Sequence, residues 1–272
     1  MATILEVRIA VADVCVALRV DDVEVAERIR ARYSEFLAPD TPADFVIDVA
    51  VREGAQFVPM EPGPWVINTT FHDDVLTFES YVEKGEVNLA TGRGHLVMAP
   101  TGLIENFLRV LYAWCMIQAG GLLLHSAGVV KDGRTFLFFG ASGSGKTTIT
   151  RLSSQYTILS DDILIVKPVN GSFQAFGVPF RGGEMQDAPR TNTRAPLAGL
   201  YRLHKASEHR LAPLSPARAA AELASCAPFV VISPDTARRV LDLCTRLTSQ
   251  VPVFELYFRK DPNFWRVIDG GN

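Results

Sequence analysis

The nine residues Gly140-Ala141-Ser142-Gly143-Ser144-Gly145-Lys146-Thr147-Thr148 restrict the fold of this chain more than any other stretch. They match G-x-x-x-x-G-K-[ST], a loop that cradles phosphate groups when a strand precedes it and a helix follows. Arg134 to Phe139 is an apolar run that reads as a buried strand, and Thr147 to Leu152 can open a helix. The glycines let the backbone fold tightly round an anion with its N–H groups turned inward. The start of the helix adds partial positive charge. Gly140, Ala141, Ser142, Gly143, Ser144, Gly145, Lys146, Thr147 and Thr148 are therefore the candidate phosphate-binding set. In it Lys146 reaches the β- and γ-phosphates, and the Thr147 hydroxyl sits on Mg2+.

A second signal lies downstream. A helix of ~9 residues from Lys146 to Ser154 runs ~14 Å away from the loop. The strand-like Tyr156 to Ser160 then returns ~16 Å. Asp161 and Asp162 thus come back level with the loop, where a metal-binding or proton-accepting carboxylate is needed. Adjacent acids at the end of an apolar strand are costly to bury unless they face a cation or a substrate. On a strand they point to opposite sides, so one can hold the metal while the other faces an acceptor.

The rest of the chain sets the context. With 48% hydrophobic and 21% charged residues, a large core is expected and disorder is not. A net charge of −3 argues against a general affinity for nucleic acid or anionic membranes. Cys15, Cys115, Cys226 and Cys244 form no C-x-x-C pair and read as buried free thiols of a reducing cytoplasm. The N-terminal stretch carries Glu6 and Asp13 and lacks signal-peptide character. Leu103 to Ala119 is too short and too polar to span a bilayer.

Residues 1–100 read as a small, mostly antiparallel α+β region. Its elements are two strands from Ile4 to Val20, a helix from Val23 to Phe36 and a strand from Asp44 to Val51. Four more strands follow at Trp65–Thr69, Val75–Tyr81, Glu86–Ala90 and Gly94–Met98, with turns at His72-Asp73-Asp74 and Lys84-Gly85. The His72 cluster reads as a solvated turn and His95 as structural. Residues 101–272 read as the phosphate-loop domain. It opens on a helix from Leu103 to Gln118 with a Glu105/Arg109 pair. Strands follow at Leu122–Val130, Phe136–Phe139, Ile163–Pro168, Phe173–Val178, Pro196–Leu203 and Pro252–Phe258. Two helices start at Pro216 and Pro234, with Ser215 and Ser233 as caps. Arg181, in the Gly/Pro-rich loop Gly177 to Glu184, is placed to reach a phosphate. Arg190, Arg194, Arg202, Lys205 and Arg210 read as a solvated basic face.

These residues give the chain a resemblance to the HPr kinase/phosphorylase-like group. Those proteins share the P-loop fold of the ATP-dependent phosphoenolpyruvate carboxykinases. The likeness rests on His125-Ser126-Ala127-Gly128, Gly140 to Thr147, Leu159-Ser160-Asp161-Asp162, the Gly177-to-Gly183 loop and Val253-Phe254-Glu255-Leu256. It spans about residues 103–268 and is similar to the short HprK-related kinases of bacteria. It implies an α/β, phosphoenolpyruvate carboxykinase-like domain with a mixed sheet. It implies ATP with Mg2+, Asp161 as base on an acceptor hydroxyl, Asp162 near the metal, and His125 in the active site, bonding Asp161 or the γ-phosphate. Thr148 departs from the group, whose members carry an acid there. The expected activity is transfer of the γ-phosphoryl group to a Ser/Thr hydroxyl of a protein or peptide. A small-molecule kinase and a nucleotide-binding regulator are the alternatives. Oligomers are common in the group.

Overall fold

The computed structural model describes residues 4–60, 66–180 and 191–270. It divides into two compact units, Met1–Cys115 and Met116–Asn272. Both combine helices with a sheet that mixes parallel and antiparallel strands, so the chain is of the mixed α/β class. Among the described residues no helix is long and apolar enough to cross a membrane.

In the first unit, β1 (Leu5–Val11) and β2 (Val14–Val20) form a hairpin. Its two turn residues, Ala12 and Asp13, take φ 49° and 61°, the left-handed pair that matches the strand twist. Helix α1 (Val23–Arg32) starts at Asp22, whose carboxylate accepts from the Val25 N–H at 2.9 Å. It ends four residues earlier than the sequence suggests, and Ser34–Phe36 tightens into a 3-10 turn. Strands β3 (Phe45–Val51), β4 (Asn68–His72), β5 (Val75–Glu79), β6 (Glu83–Asn88) and β7 (Arg93–Met98) complete a sheet in the order β1-β2-β3-β7-β6-β5-β4. The β2–β3 and β3–β7 pairings are parallel and the others antiparallel.

One turn lies elsewhere than expected. Lys84-Gly85 sits inside β6, and the chain reverses at Ser80 to Val82. Gly85 serves close strand approach rather than turning, because a Cβ there would lie 2.2 Å from the His95 carbonyl oxygen. His72-Asp73-Asp74 is the expected solvated hairpin turn, with Asp73 and Asp74 at φ 47° and 62°. Trp65 lies outside the described residues.

Helix α2 (Glu105–Gln118) is buried on nearly every face beyond its first turn, as its apolar composition requires. Glu105 binds Arg109 at 2.7 Å and also meets Arg32. Tyr112 donates from its hydroxyl to the Ile9 carbonyl, and the Trp114 ring stacks on Phe71. The division between the units falls inside this helix.

The second unit holds β8 (Leu122–Leu124), β9 (Ser126–Lys131), β10 (Arg134–Phe139), α3 (Lys146–Leu152), β11 (Thr157–Ser160), β12 (Leu164–Val169) and β13 (Ser172–Phe176). It continues with β14 (Arg194–Lys205), β15 (Arg210–Pro213), α4 (Pro216–Ala224), α5 (Pro234–Gln250), β16 (Val253–Phe258) and α6 (Phe264–Gly270). The run Leu122–Val130 is two strands, not one. It breaks at His125 because β8 pairs with β12 whereas β9 pairs with β10 and β11. The sheet order is β11-β9-β10-β14-β13-β12-β8, with β16 pairing β14 and β15. Strand β10 runs antiparallel to β9 and parallel to β14, so it is flanked on both sides. Its apolar face meets a cluster that includes Phe136, Phe138, Ile149, Tyr201, Leu203, Phe258, Phe264 and Trp265. The indole N–H of Trp265 donates to the Ser153 hydroxyl at 3.1 Å, tying α6 to the end of α3.

Candidate active site

The pairing of β10 fixes the position of every residue around its C-terminal end. Phe139 is the last residue of the strand and pairs with Ser126, the first residue of β9. His125 therefore stands beside the phosphate-type loop, and its N–H is anchored by the Cys226 carbonyl at 2.7 Å. Strand β11 runs antiparallel to β9, with Ser160 opposite Gly128, which delivers Asp161 and Asp162 to the same end of the sheet. The Ser160 hydroxyl accepts from the Asp162 and Ile163 N–H groups at 3.2 and 3.1 Å, holding the turn that carries the two acids.

His125, Asp161 and Asp162 line one cavity of about 340 Å3 with Ser142, Gly143, Gly145, Lys146, Thr147, Thr148 and Lys205. The Thr147 hydroxyl donates to Asp161 Oδ2 at 3.4 Å. His125 Nε2 lies 3.0 Å from Asp162 Oδ1. The resemblance implies Asp161 or the γ-phosphate as the partner of His125; the carboxylate that lies against its ring is that of Asp162. Burial raises the Asp161 carboxyl above the usual range, and the charge of Asp162 adds to the shift.

The geometry of the loop suits an anion. Gly145 takes φ 111°, and a Cβ there would lie 2.6 Å from the Phe258 ring. Gly143 takes φ 74° and has open space where a Cβ would be, so the loop apex stays clear. Lys146 is buried and donates to the Gly140 and Ala141 carbonyls at 3.0 and 3.4 Å. Burial lowers its pKa, an effect that Cys226 and Asp162 partly offset. No carboxylate bonds its ammonium directly among the described residues. The Ser144 Oγ is buried with no hydrogen-bond partner. A buried cation on weak carbonyl acceptors and an orphaned hydroxyl both fit a phosphate chain. Thr147 and Asp161 fit a divalent cation, since both offer oxygen.

Arg181 lies outside the described residues, as do Gly182, Gly183 and Arg190. The sequence places Lys205 on a solvated basic face. Arg202 of that set pairs with Glu222 and Glu255, but Lys205 lines the cavity. The missing signal was the parallel β10–β14 register. Phe139 lies opposite Arg202, so Lys205 projects three residues past the end of β10.

A family model described as "ScmC: SynChlorMet cassette protein ScmC" matches residues 101–270. The chain belongs to the ScmC family. The matched span takes in the whole of the cavity lining. Among solved structures, this ScmC-family chain is similar to the Hpr(Ser) kinase/phosphatase from Coxiella burnetii. That likeness has a TM-score of 0.31 and 10% identity, and covers 55% of this chain and 95% of the other. No curated protein matches.

Proposed function

We propose that this ScmC-family chain is an ATP-dependent phosphotransferase that moves the γ-phosphoryl group to a hydroxyl. The observation that carries the reading is the meeting of Lys146, Thr147, Asp161, Asp162 and His125 in one cavity. A phosphate loop alone serves many nucleotide-binding proteins. Two carboxylates and an imidazole beside it add the means to take a proton from an acceptor.

Each residue then has a task. The loop amides and Lys146 bind the phosphates, with Lys146 exchanging its carbonyl partners for charged oxygens. Mg2+, when bound, neutralises charge that develops on the phosphates. The observed contacts favour Thr147 with Asp161 as its holders, directly or through water. Asp162, bonded to His125, is left to accept the acceptor's proton. This divides the two acids the other way round from what the resemblance to HPr kinases implies. The acceptor is read as a serine or threonine of a protein or peptide. In support, the side chains of His125 and Asp162 are 45% and 24% exposed, which suits a hydroxyl carried by a macromolecule. The phosphoenolpyruvate carboxykinase-like fold belongs to the same reading.

The test is transfer of label from γ-labelled ATP to hydroxyl-bearing peptides and to metabolite pools. Lys146→Ala should abolish both transfer and nucleotide binding. Asp162→Asn should lower kcat by roughly 100-fold or more, as loss of a general base does, while ATP still binds. Asp161→Asn should raise the Mg2+ concentration needed for half-maximal rate. Tight MgATP binding with no label on any acceptor would sink the transferase and leave a nucleotide-binding regulator.

A further inference from the structure

We propose that Lys205 is a donor-side residue that holds the leaving-group phosphates of the nucleotide; this rests on the reading of the cavity as a phosphate-donor site. The cavity is polarised. Asp161, Asp162 and His125 come from β11 and the start of β9, on one side of β10. Lys205 comes from the end of β14, on the other side. Three strand spacings, about 14 Å, separate the two flanks. Lys146 lies between them: it opens α3, and its ammonium reaches back to the Gly140 carbonyl just past the end of β10.

Lys205 differs from the other cations near it. Arg202 is bound to Glu222 and Glu255, and Arg210 lies over the Tyr257 ring at 3.8 Å. Lys205 is exposed and has no ion-pair partner among the described residues. Its backbone is fixed by parallel pairing with Phe258, whose ring packs on Gly145 of the loop. A strand paired on both sides therefore holds beside the loop an ammonium that has no ion-pair partner among the described residues.

In-line transfer needs the two flanks to differ. A bond forms between the acceptor oxygen and the γ-phosphorus, and the acceptor's proton passes to Asp162. The bond from the γ-phosphorus to the bridging oxygen breaks, and its electron pair leaves on the β-phosphate of ADP. The nucleophile must enter on the acidic flank, where the base is. The leaving diphosphate must then lie toward Lys205, whose charge meets the negative charge that builds there. The polarity of the cavity thus sets the direction in which the donor lies.

The experiment is calorimetric titration of the full chain with MgADP and with MgATP, for wild type, Lys146→Ala, Lys205→Met and Lys205→Arg. Lys205→Met should weaken both nucleotides by roughly tenfold, about 1.4 kcal/mol. The loss should shrink as salt rises, because the residue is exposed. Lys205→Arg should restore most of the affinity. The melting temperature without nucleotide should not change, which separates a ligand contact from a structural one. MgADP binding to Lys205→Met at wild-type strength overturns the proposal, and so does a loss confined to MgATP, which would put Lys205 on the γ-phosphate. If Lys146→Ala loses binding and Lys205→Met does not, the donor site stands and Lys205 falls. If wild type binds neither nucleotide, the phosphate-donor reading itself fails and carries Lys205 with it.

Discussion

Glu83 shows what a single buried carboxyl does to stability. It is fully buried at the start of β6, and neither carboxylate oxygen makes a well-formed hydrogen bond. Burial raises its pKa to about 7, against smaller opposing effects from the Leu103 N–H, Asn106 and Ser80. The folded chain therefore keeps this proton at a pH where the unfolded chain loses it. Stability from Glu83 is full below about pH 4.5 and is lost as pH rises through about 7. Glu83→Gln should escape that loss and gain up to about 3 kcal/mol over wild type between those limits. Denaturant melts of both proteins from pH 4 to 8 measure the gap, and a gap that does not change with pH contradicts the account. At this scale the nine loop residues and the acid pair were legible in the sequence, because fixed spacing carries them. Which acid meets Thr147 and which meets His125 was not. Spacing places two neighbours at one strand end, but only the turn held by Ser160 decides where each points.

Elements were legible where a cap or a period speaks for itself. Ser233 and Ser215 both precede a helix that starts with proline, and both read as caps. Only Ser233 makes the capping box, accepting from the Thr236 N–H, while the Ser215 side chain makes no such bond. Ser233→Ala should cost about 1 kcal/mol and Ser215→Ala only a few tenths. Equal losses in thermal melts would contradict the difference. The break at His125 was hidden, because eight apolar or small residues surround it and no turn signal marks it. Two partner strands pull the chain apart there, and pairing between distant segments leaves no local trace. The same cause hid Lys205, whose place is set by β14 lying along β10. The Lys84-Gly85 turn failed for a related reason, since a glycine admits a neighbouring strand as readily as it turns the chain.

At the scale of the molecule, every residue that lines the candidate active site belongs to the second unit. Binding of MgATP should slow hydrogen exchange in residues 140–148 and around 161–162 and 205, and leave residues 5–98 at their free rates. Ligand at 100 times its Kd adds about 2.7 kcal/mol to the stability of the state that binds it. Mass spectrometry of exchanged peptides reads this directly. Slowing centred on the first unit would place the ligand elsewhere.

The contact between Phe258 and Gly145 has a consequence in time. The loop Gly140 to Thr148 leaves the ribosome before the strand that braces it, because β16 follows it far downstream. Strands β9 and β10 can pair as a hairpin soon after synthesis, yet β14 and β16 must arrive before Lys205 and Phe258 can take their places. A nascent chain thus carries its most recognisable motif in an unfinished form until β16 is made. The loop therefore gains its brace only after β16 has been made, however early its own residues are synthesised.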